Sequence, residues 1–247
     1  MTNYKILKLK IANENVTILQ RKDMFCISLD TVLLINFIKI KNQTKTLIDF
    51  GTNNGAIAIL LAKKYPIKII GIEIQKEAVT LALENVVKND LTKQVTIIQQ
   101  DIKVYADENF NQKVDIIVCN PPFFPLLEKT NLKFEPLKAA ARHELYIDLA
   151  TIVASAAQLL KVKGKFFIIY PAFRLDQLLI TLKQNNFSIK RMQMVYPKIN
   201  KNASSVLIEA VFNTNDGLII EPPLICHNDN NSYVSEIAKW YNKNNNE

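Results

Sequence analysis

From Thr46 onward, short apolar runs alternate with stretches of helical period, and this alternation constrains the fold more than any other feature of the chain. Runs at about 46–50, 67–73, 94–98, 113–119 and 165–170 predict buried strands, and helices are expected near 55–64, 76–88, 147–161 and 173–184. Strands joined through helices wind into a parallel sheet by right-handed crossovers, so the chain is expected to be an α/β protein. Open sheets of this kind bind ligands at the carboxyl ends of their strands, and the residues there are the first candidates for chemistry.

The pattern breaks near the end. Residues 187–196 and 204–212 both have the character of strands, and the seven residues 197–203 are too few for a crossover helix, so an antiparallel hairpin is predicted. A nicotinamide-type dinucleotide fold would continue with another crossover. Residues 1–44 form a preface: a strand at 16–19, the polar turn Arg21-Lys22-Asp23, and Ser28-Leu29-Asp30-Thr31, suited to cap a helix running to about Ile38. Residues 45–213 make the main domain. Residues 214–247 make a tail with one short helix near 233–241 and an Asn-rich end expected to be disordered.

A chain of 247 residues, 49% hydrophobic, suits one large α/β domain with a modest extension. Its formal charge of +8 favours a polyanionic partner, although the lysines are spread along the whole chain. Three cysteines without paired spacing argue against a disulfide framework or a zinc site and point to a reducing compartment. The N-terminus lacks a long apolar region, and no apolar run reaches the roughly 18 residues that span a bilayer, so a cytoplasmic protein without membrane or metal is expected.

The first strand runs into Asp49-Phe50-Gly51-Thr52-Asn53-Asn54-Gly55 and then directly into a helix. Such a turn lets a ligand approach the backbone, but Asn53 occupies a place where a phosphate-cradling turn carries glycine. Glu73 ends the second strand, where it can accept from both hydroxyls of a ribose; Asp101 follows the third, where it can accept from an adenine amino group. Each acid alone also fits a helix cap or a solvated loop. At the fourth strand end stands Asn120-Pro121-Pro122-Phe123. An aromatic amine is a poor nucleophile because its lone pair is delocalised into the ring. The Asn120 side-chain oxygen and the Pro121 carbonyl are two acceptors that can hold the two N–H donors, with Pro122 stiffening the turn and Phe123 offering a face for stacking. A plain strand-ending turn is the alternative for this tetrapeptide alone. Together these strand ends describe an adenosine-bearing cofactor beside an amino-bearing ring. S-adenosylmethionine fits better than a dinucleotide, because without phosphates it tolerates fewer glycines.

These residues resemble the class I S-adenosylmethionine-dependent methyltransferases, in particular the amino-methylating group with an (Asn/Asp/Ser)-Pro-Pro-(Tyr/Phe) motif, over about residues 15–225. More narrowly, Phe25–Thr31, Asp49–Gly55, Asn120–Phe123, Ala141-Arg142-His143-Glu144 and Glu221-Pro222-Pro223-Leu224-Ile225 are similar to the bacterial tRNA adenine-N6 methyltransferases that modify adenine 37 of a valine tRNA. That resemblance implies a doubly wound, Rossmann-like methyltransferase sheet, mostly parallel with a C-terminal antiparallel hairpin. It also implies a cofactor site drawn from Ser28, Asp30, Thr31, Asp49, Gly51, Asn53, Gly55, Glu73, Asp101 and Asn120, with the preface packed over the methionine end. Asn120, Pro121, Pro122 and Phe123 would form the catalytic set. Two residues depart from the family pattern: Asn53 stands for the usual glycine, and Phe123 for the commoner tyrosine.

The stretch 124–146 has no clear periodicity and carries Lys129, Lys133, Lys138, Arg142 and His143, as expected of a lid that touches RNA phosphates. Lys198 and Lys201 in the hairpin loop, with Lys190 and Arg191, are expected to extend a basic rim toward the anticodon arm of a tRNA. A monomer or weak dimer is expected. Alternative readings are a guanine-N2 methyltransferase of ribosomal RNA, a protein glutamine-N5 methyltransferase, and an RNA-binding module that has lost catalysis.

Overall fold

The computed structural model describes residues 4–11, 14–122 and 148–241. Phe123, the basic residues Lys129, Lys133, Lys138, Arg142 and His143, and the Asn-rich end therefore lie outside the described residues.

The chain opens with β1 (Tyr4–Ile11) and β2 (Glu14–Arg21), paired antiparallel from Tyr4↔Arg21 to Ile11↔Glu14. The alternation then begins: α1 (Leu29–Phe37), β3 (Thr46–Phe50), α2 (Ala56–Lys64), β4 (Lys68–Glu73), α3 (Lys76–Lys88), β5 (Val95–Gln99), α4 (Ile102–Asn109) and β6 (Val114–Cys119). After residue 148 follow α5 (Leu149–Leu159), β7 (Leu160–Pro171), a 3-10 turn (Ala172–Arg174), α6 (Leu175–Gln184), β8 (Phe187–Tyr196) and β9 (Ser205–Phe212). The tail adds β10 (Ile219–Ile220), β11 (Leu224–Ile225) and α7 (Ser235–Tyr241).

The main sheet runs β10-β8-β9-β7-β6-β3-β4-β5, with β11 also on β8. Pairs from β5 to β7 are parallel, and β9 is antiparallel to both β7 and β8, as the two closing strands predicted. Because both faces are covered, the central strands are apolar almost throughout. Phe166 and Phe167 are each fully buried, one in the cluster packed by α4, α5 and α6, the other in that packed by α1, α2 and the preface. β3 and β6 are neighbours, and from them the strand order runs outward in opposite directions, which opens a crevice at their carboxyl ends.

Several elements differ from expectation. β1 was not expected; its lysines interrupt the apolar pattern, yet Leu9 packs into the core with Val16 and Ile18 of β2. α4 is short, burying only Ile102, Tyr105 and Ala106, and Asp101 caps it, the alternative that the sequence left open for each strand-end acid. Ser28 stands at the N-cap of α1 but makes no side-chain cap bond. The tail contributes two short strands to β8 in addition to its helix, with Glu221 N–H donating to Met192 O at 2.8 Å.

The basic rim needs a larger correction. Arg191 is an interior residue: its guanidinium lies 4.1 Å from the centroid of the Phe37 ring, donates to Phe37 O, and sits 3.2 Å from both Glu209 and Glu221. Lys190 donates to Asn215 O. Arg191 thus fastens α1, β8, β9 and the tail together, and the pairing of its charge with two carboxylates is what permits burial.

Candidate functional site

The crevice is built first by the turn between β3 and α2. Thr52 donates from its hydroxyl to Asp49 Oδ2 at 2.6 Å and from its amide to Ile72 O at 3.0 Å, which folds the turn back over β4. Room for this comes from Gly71: a Cβ there would stand 2.8 Å from Thr52 Cγ2. Gly51, Asn53 and Gly55 all adopt positive φ, and Asn53 at φ 50° shows how the turn keeps its shape without the usual glycine. Asn53 also makes two bonds, of which the backbone one would be open to glycine and the side-chain one would not. Its amide donates to Glu73 Oε2 at 2.9 Å, and its Nδ2 donates to Phe25 O at 3.0 Å, pinning the preface to the turn.

Around this turn lies a cavity of about 520 Å³. Of the predicted cofactor residues, Ser28, Asp30, Thr31, Gly51, Asn53, Glu73, Asp101 and Asn120 line it, together with Pro121 and Pro122. Asp49 and Gly55 do not. Asp49 is fully buried beneath the turn, and Gly55 begins α2 against Ala82. Both support the wall without forming it: the Asp49 side chain is turned to the interior beneath the turn, and Gly55 brings the start of α2 close to α3. Lys198 and Lys201 sit apart, on the β8–β9 loop. The registers Pro171↔Ser205 and Val195↔Ser205 place that loop at the same edge of the sheet as the cavity. Lys198 donates to Asp229 O at 2.8 Å, and Lys201 is exposed.

The acids differ in state. Burial pushes the Asp49 carboxyl up to about 7, against the pull of the Thr52 hydroxyl and the Ala58 amide, and the nearby Glu73 charge adds to the rise. Burial likewise raises Glu73, whose two oxygens accept from the amides of Asn53 and Gln75, each at 2.9 Å. Asp30 is also raised by burial, relieved in part by the Ser205 hydroxyl. Asp101 accepts from Lys103 N and Val104 N through Oδ1, so only Oδ2 is left for a ligand. In the β3–α2 turn, Asn53 Oδ1 and Asn54 Nδ2 are buried without a hydrogen-bond partner, an acceptor and a donor on two residues that line the cavity.

At the tip of β6, Asn120 Nδ2 donates to Thr31 Oγ1 at 3.1 Å across 89 residues of sequence. The bond commits the nitrogen end of the carboxamide to α1 and leaves Oδ1 as an acceptor beside Pro121 and Pro122. Cys119, one residue earlier, is buried, and desolvation raises its thiol well above its ordinary range, with Asp49 adding to the shift. It is therefore no thiolate nucleophile. Among the described residues, no group of His, Cys, Asp or Glu is placed to hold a metal ion, and no helix is long and apolar enough to cross a membrane.

Sequence reasoning missed several residues that shape the site. Asn85, fully buried on α3, donates to Leu19 O at 3.0 Å and Asn54 O at 2.9 Å and accepts from Leu19 N at 2.7 Å, clamping the β1–β2 sheet to the turn. Asp148 accepts from the amide and hydroxyl of Thr151, both at 2.9 Å, and both residues line the cavity. That second device had a signal, an Asp three residues before Thr at the start of an apolar helix. Asn85 had none.

The fold agrees with comparisons to known proteins. A family model described as a methyltransferase domain matches residues 41–241. Curated relatives include tRNA1(Val) (adenine(37)-N6)-methyltransferases of Bacteroides fragilis, 26% identical over 184 residues covering 74% of this chain and 76% of the relative. That of a Flavobacteriaceae bacterium is 26% identical over 200 residues, covering 81% and 82%. Among solved structures, a predicted O-methyltransferase, Atu636, from Agrobacterium tumefaciens superposes with a TM-score of 0.67 at 14% identity, covering 86% of this chain and 95% of that one. At that identity the likeness concerns the fold. The chain belongs to the methyltransferase-domain family, which its sheet order and strand-tip crevice embody.

Proposed function

We propose that this protein transfers a methyl group from S-adenosylmethionine to the N6 amino group of an adenine in tRNA, adenine 37 of the anticodon loop. The observation that carries this reading is the Asn120 carboxamide at the tip of β6, turned by Thr31 so that its oxygen stands as an acceptor on the cavity wall. Tyrosine is absent from the motif, so the holding of the amine falls to Asn120 Oδ1 and the Pro121 carbonyl, which accept its two N–H bonds and bring the nitrogen lone pair out of conjugation. Their fixed direction, set by the proline ring, supplies alignment, the main demand of an in-line displacement. No strong base is required, because the nitrogen loses its proton after it has become cationic.

The residues present fit the cofactor. Glu73 and the Oδ2 of Asp101 are acceptors for a ribose and an adenine amino group, while Asn53 Oδ1 and Asn54 Nδ2 offer open bonds to a zwitterionic amino-acid end. Asp30, raised by burial, adds a carboxyl group in the first turn of α1. When bound, S-adenosylmethionine supplies a sulfonium-borne methyl group already activated for attack. The tRNA relatives and the net charge of +8 support an RNA acceptor. Incubation with labelled cofactor and total tRNA, followed by nucleoside digestion, tests the reading. N6-methyladenosine is the expected product; N2-methylguanosine, or label in protein only, contradicts it.

A further inference from the structure

Ile199 at 78% and Phe173 at 73% are the most exposed of the large apolar side chains among the described residues. Single exposed apolar residues are ordinary, but these two stand on neighbouring connections at one edge of the sheet. Phe173 lies in the 3-10 turn Ala172–Arg174 that leaves β7, and Ile199 lies in the loop between β8 and β9. The two connections are joined where Ala172 N–H donates to Ser204 O at 3.0 Å. Their edge is the one that carries Asn120. Cys119 of β6 pairs with Ile168 of β7, so Phe173 stands a few residues beyond the level of Asn120 on the adjoining strand. At about 3.3 Å per extended residue, and less in the turn, that is a separation of roughly 10 Å along the strand direction.

The surroundings of the ring are cationic. The Arg174 guanidinium lies 5.4 Å from the Phe173 ring centroid, and Lys201 is exposed in the neighbouring loop. Asp176 in the first turn of α6 offsets part of this charge. An apolar ring with one cation against it and a second in the joined loop matches a nucleobase with its phosphate: stacking on the ring needs no particular base, and the cations meet the backbone. An apolar protein partner would find one ring and one aliphatic side chain among charges, and little else to bury. We propose that Phe173, with Arg174 and Lys201, seats an unpaired nucleotide of the RNA a short way along the strand from the adenine held at Asn120. The seat rests on the RNA reading above. By holding a neighbouring nucleotide, it keeps the target base out of its stack while the amine is aligned.

The test uses the full chain and an anticodon stem-loop of valine tRNA, with 2-aminopurine placed in turn at each nucleotide flanking adenine 37. Phe173→Ala is expected to raise the KM for this RNA on the order of 10-fold or more, at retained turnover with saturating RNA and unchanged calorimetric affinity for S-adenosylmethionine. It should also abolish the 2-aminopurine quenching seen with the native protein, and Phe173→Tyr should restore both. Ile180→Ala, a 58% exposed residue on α6, should change neither. Native KM and quenching in Phe173→Ala overturn the seat, as does an equal loss in Ile180→Ala. A native protein that methylates no RNA overturns the RNA reading and the seat together.

Discussion

The two sides of the crevice are built differently. On the β3–β4–β5 side, the turn is held by bonds within the chain, with Asn53 Oδ1 and Asn54 Nδ2 left over: Glu73 holds two amides, Thr52 is tied to Asp49, and Asn85 clamps the turn to β2. On the β6–β7–β9 side the side chains reach outward, with the Asn120 side chain held, among the described residues, by Thr31 alone and Phe173, Ile199 and Lys201 exposed. A small cofactor with fixed shape is served by a preformed pocket, in which little ordering remains to oppose binding. A large acceptor that must unstack a base is served by an open shelf. The contrast teaches that damage on the first side should appear in stability and cofactor affinity, and damage on the second in turnover and in the affinity for the acceptor.

The sharpest way to break this contrast is Asn120→Ala. Turnover is expected to fall on the order of 100-fold or more while calorimetric affinity for S-adenosylmethionine stays close to native, because the amine loses its holder and alignment fails with it. Comparable losses in both quantities would erase the distinction between the two sides. Asn85→Ala should act oppositely, lowering stability in urea by about 1–3 kcal/mol, since buried backbone groups of Leu19 and Asn54 lose their partner. If the unfolding midpoint does not move, the clamp is not what holds the preface.

A finer test separates the two duties of Asp101. Asp101→Asn keeps an oxygen for capping α4 but presents a donor where an adenine amino group needs an acceptor, so helix stability should persist while cofactor affinity drops by about 1 kcal/mol. Loss of stability without loss of affinity would reduce Asp101 to a cap.

The most gradual effect is that of pH on Asp49. Its carboxyl ordinarily titrates near 3.8 and is pushed to about 7 in the folded protein, so between those values the native state keeps a proton that the unfolded chain has released. Stability from this group is therefore fullest below the lower value, falls as pH rises through the window, and levels off above about 7. Asp49→Asn should flatten that slope in thermal unfolding measured from pH 4 to 8; an unaltered slope would place its origin elsewhere.

Much of the sheet was legible because strands buried on both faces must be apolar throughout, and Leu47, Ile117 and Phe167 announce themselves in that way. The closing antiparallel pair was legible from loop length alone. What escaped were elements whose reasons are tertiary. α4 offers three buried residues and a cap, too little for a periodic signal, and β10 and β11 are two residues each, paired only because β8 presents an edge. In the site, the strand-tip carboxylates Glu73 and Asp101 were legible as a set, whereas the burial of Asp49 away from the cavity was not, since strand position does not say which face a side chain takes. Nor could sequence show that Thr31 orients Asn120 from 89 residues away, or that Arg191 is interior while Phe173 is exposed.

One measurement reaches the centre of this account: a crystal structure of the protein with S-adenosylhomocysteine and the valine anticodon stem-loop. It should show Asn120 Oδ1 and the Pro121 carbonyl each about 3 Å from N6 of the extruded adenine, with Asn120 Nδ2 still on Thr31. An adenine seated elsewhere, or a carboxamide turned away from the base toward the protein interior, would contradict it.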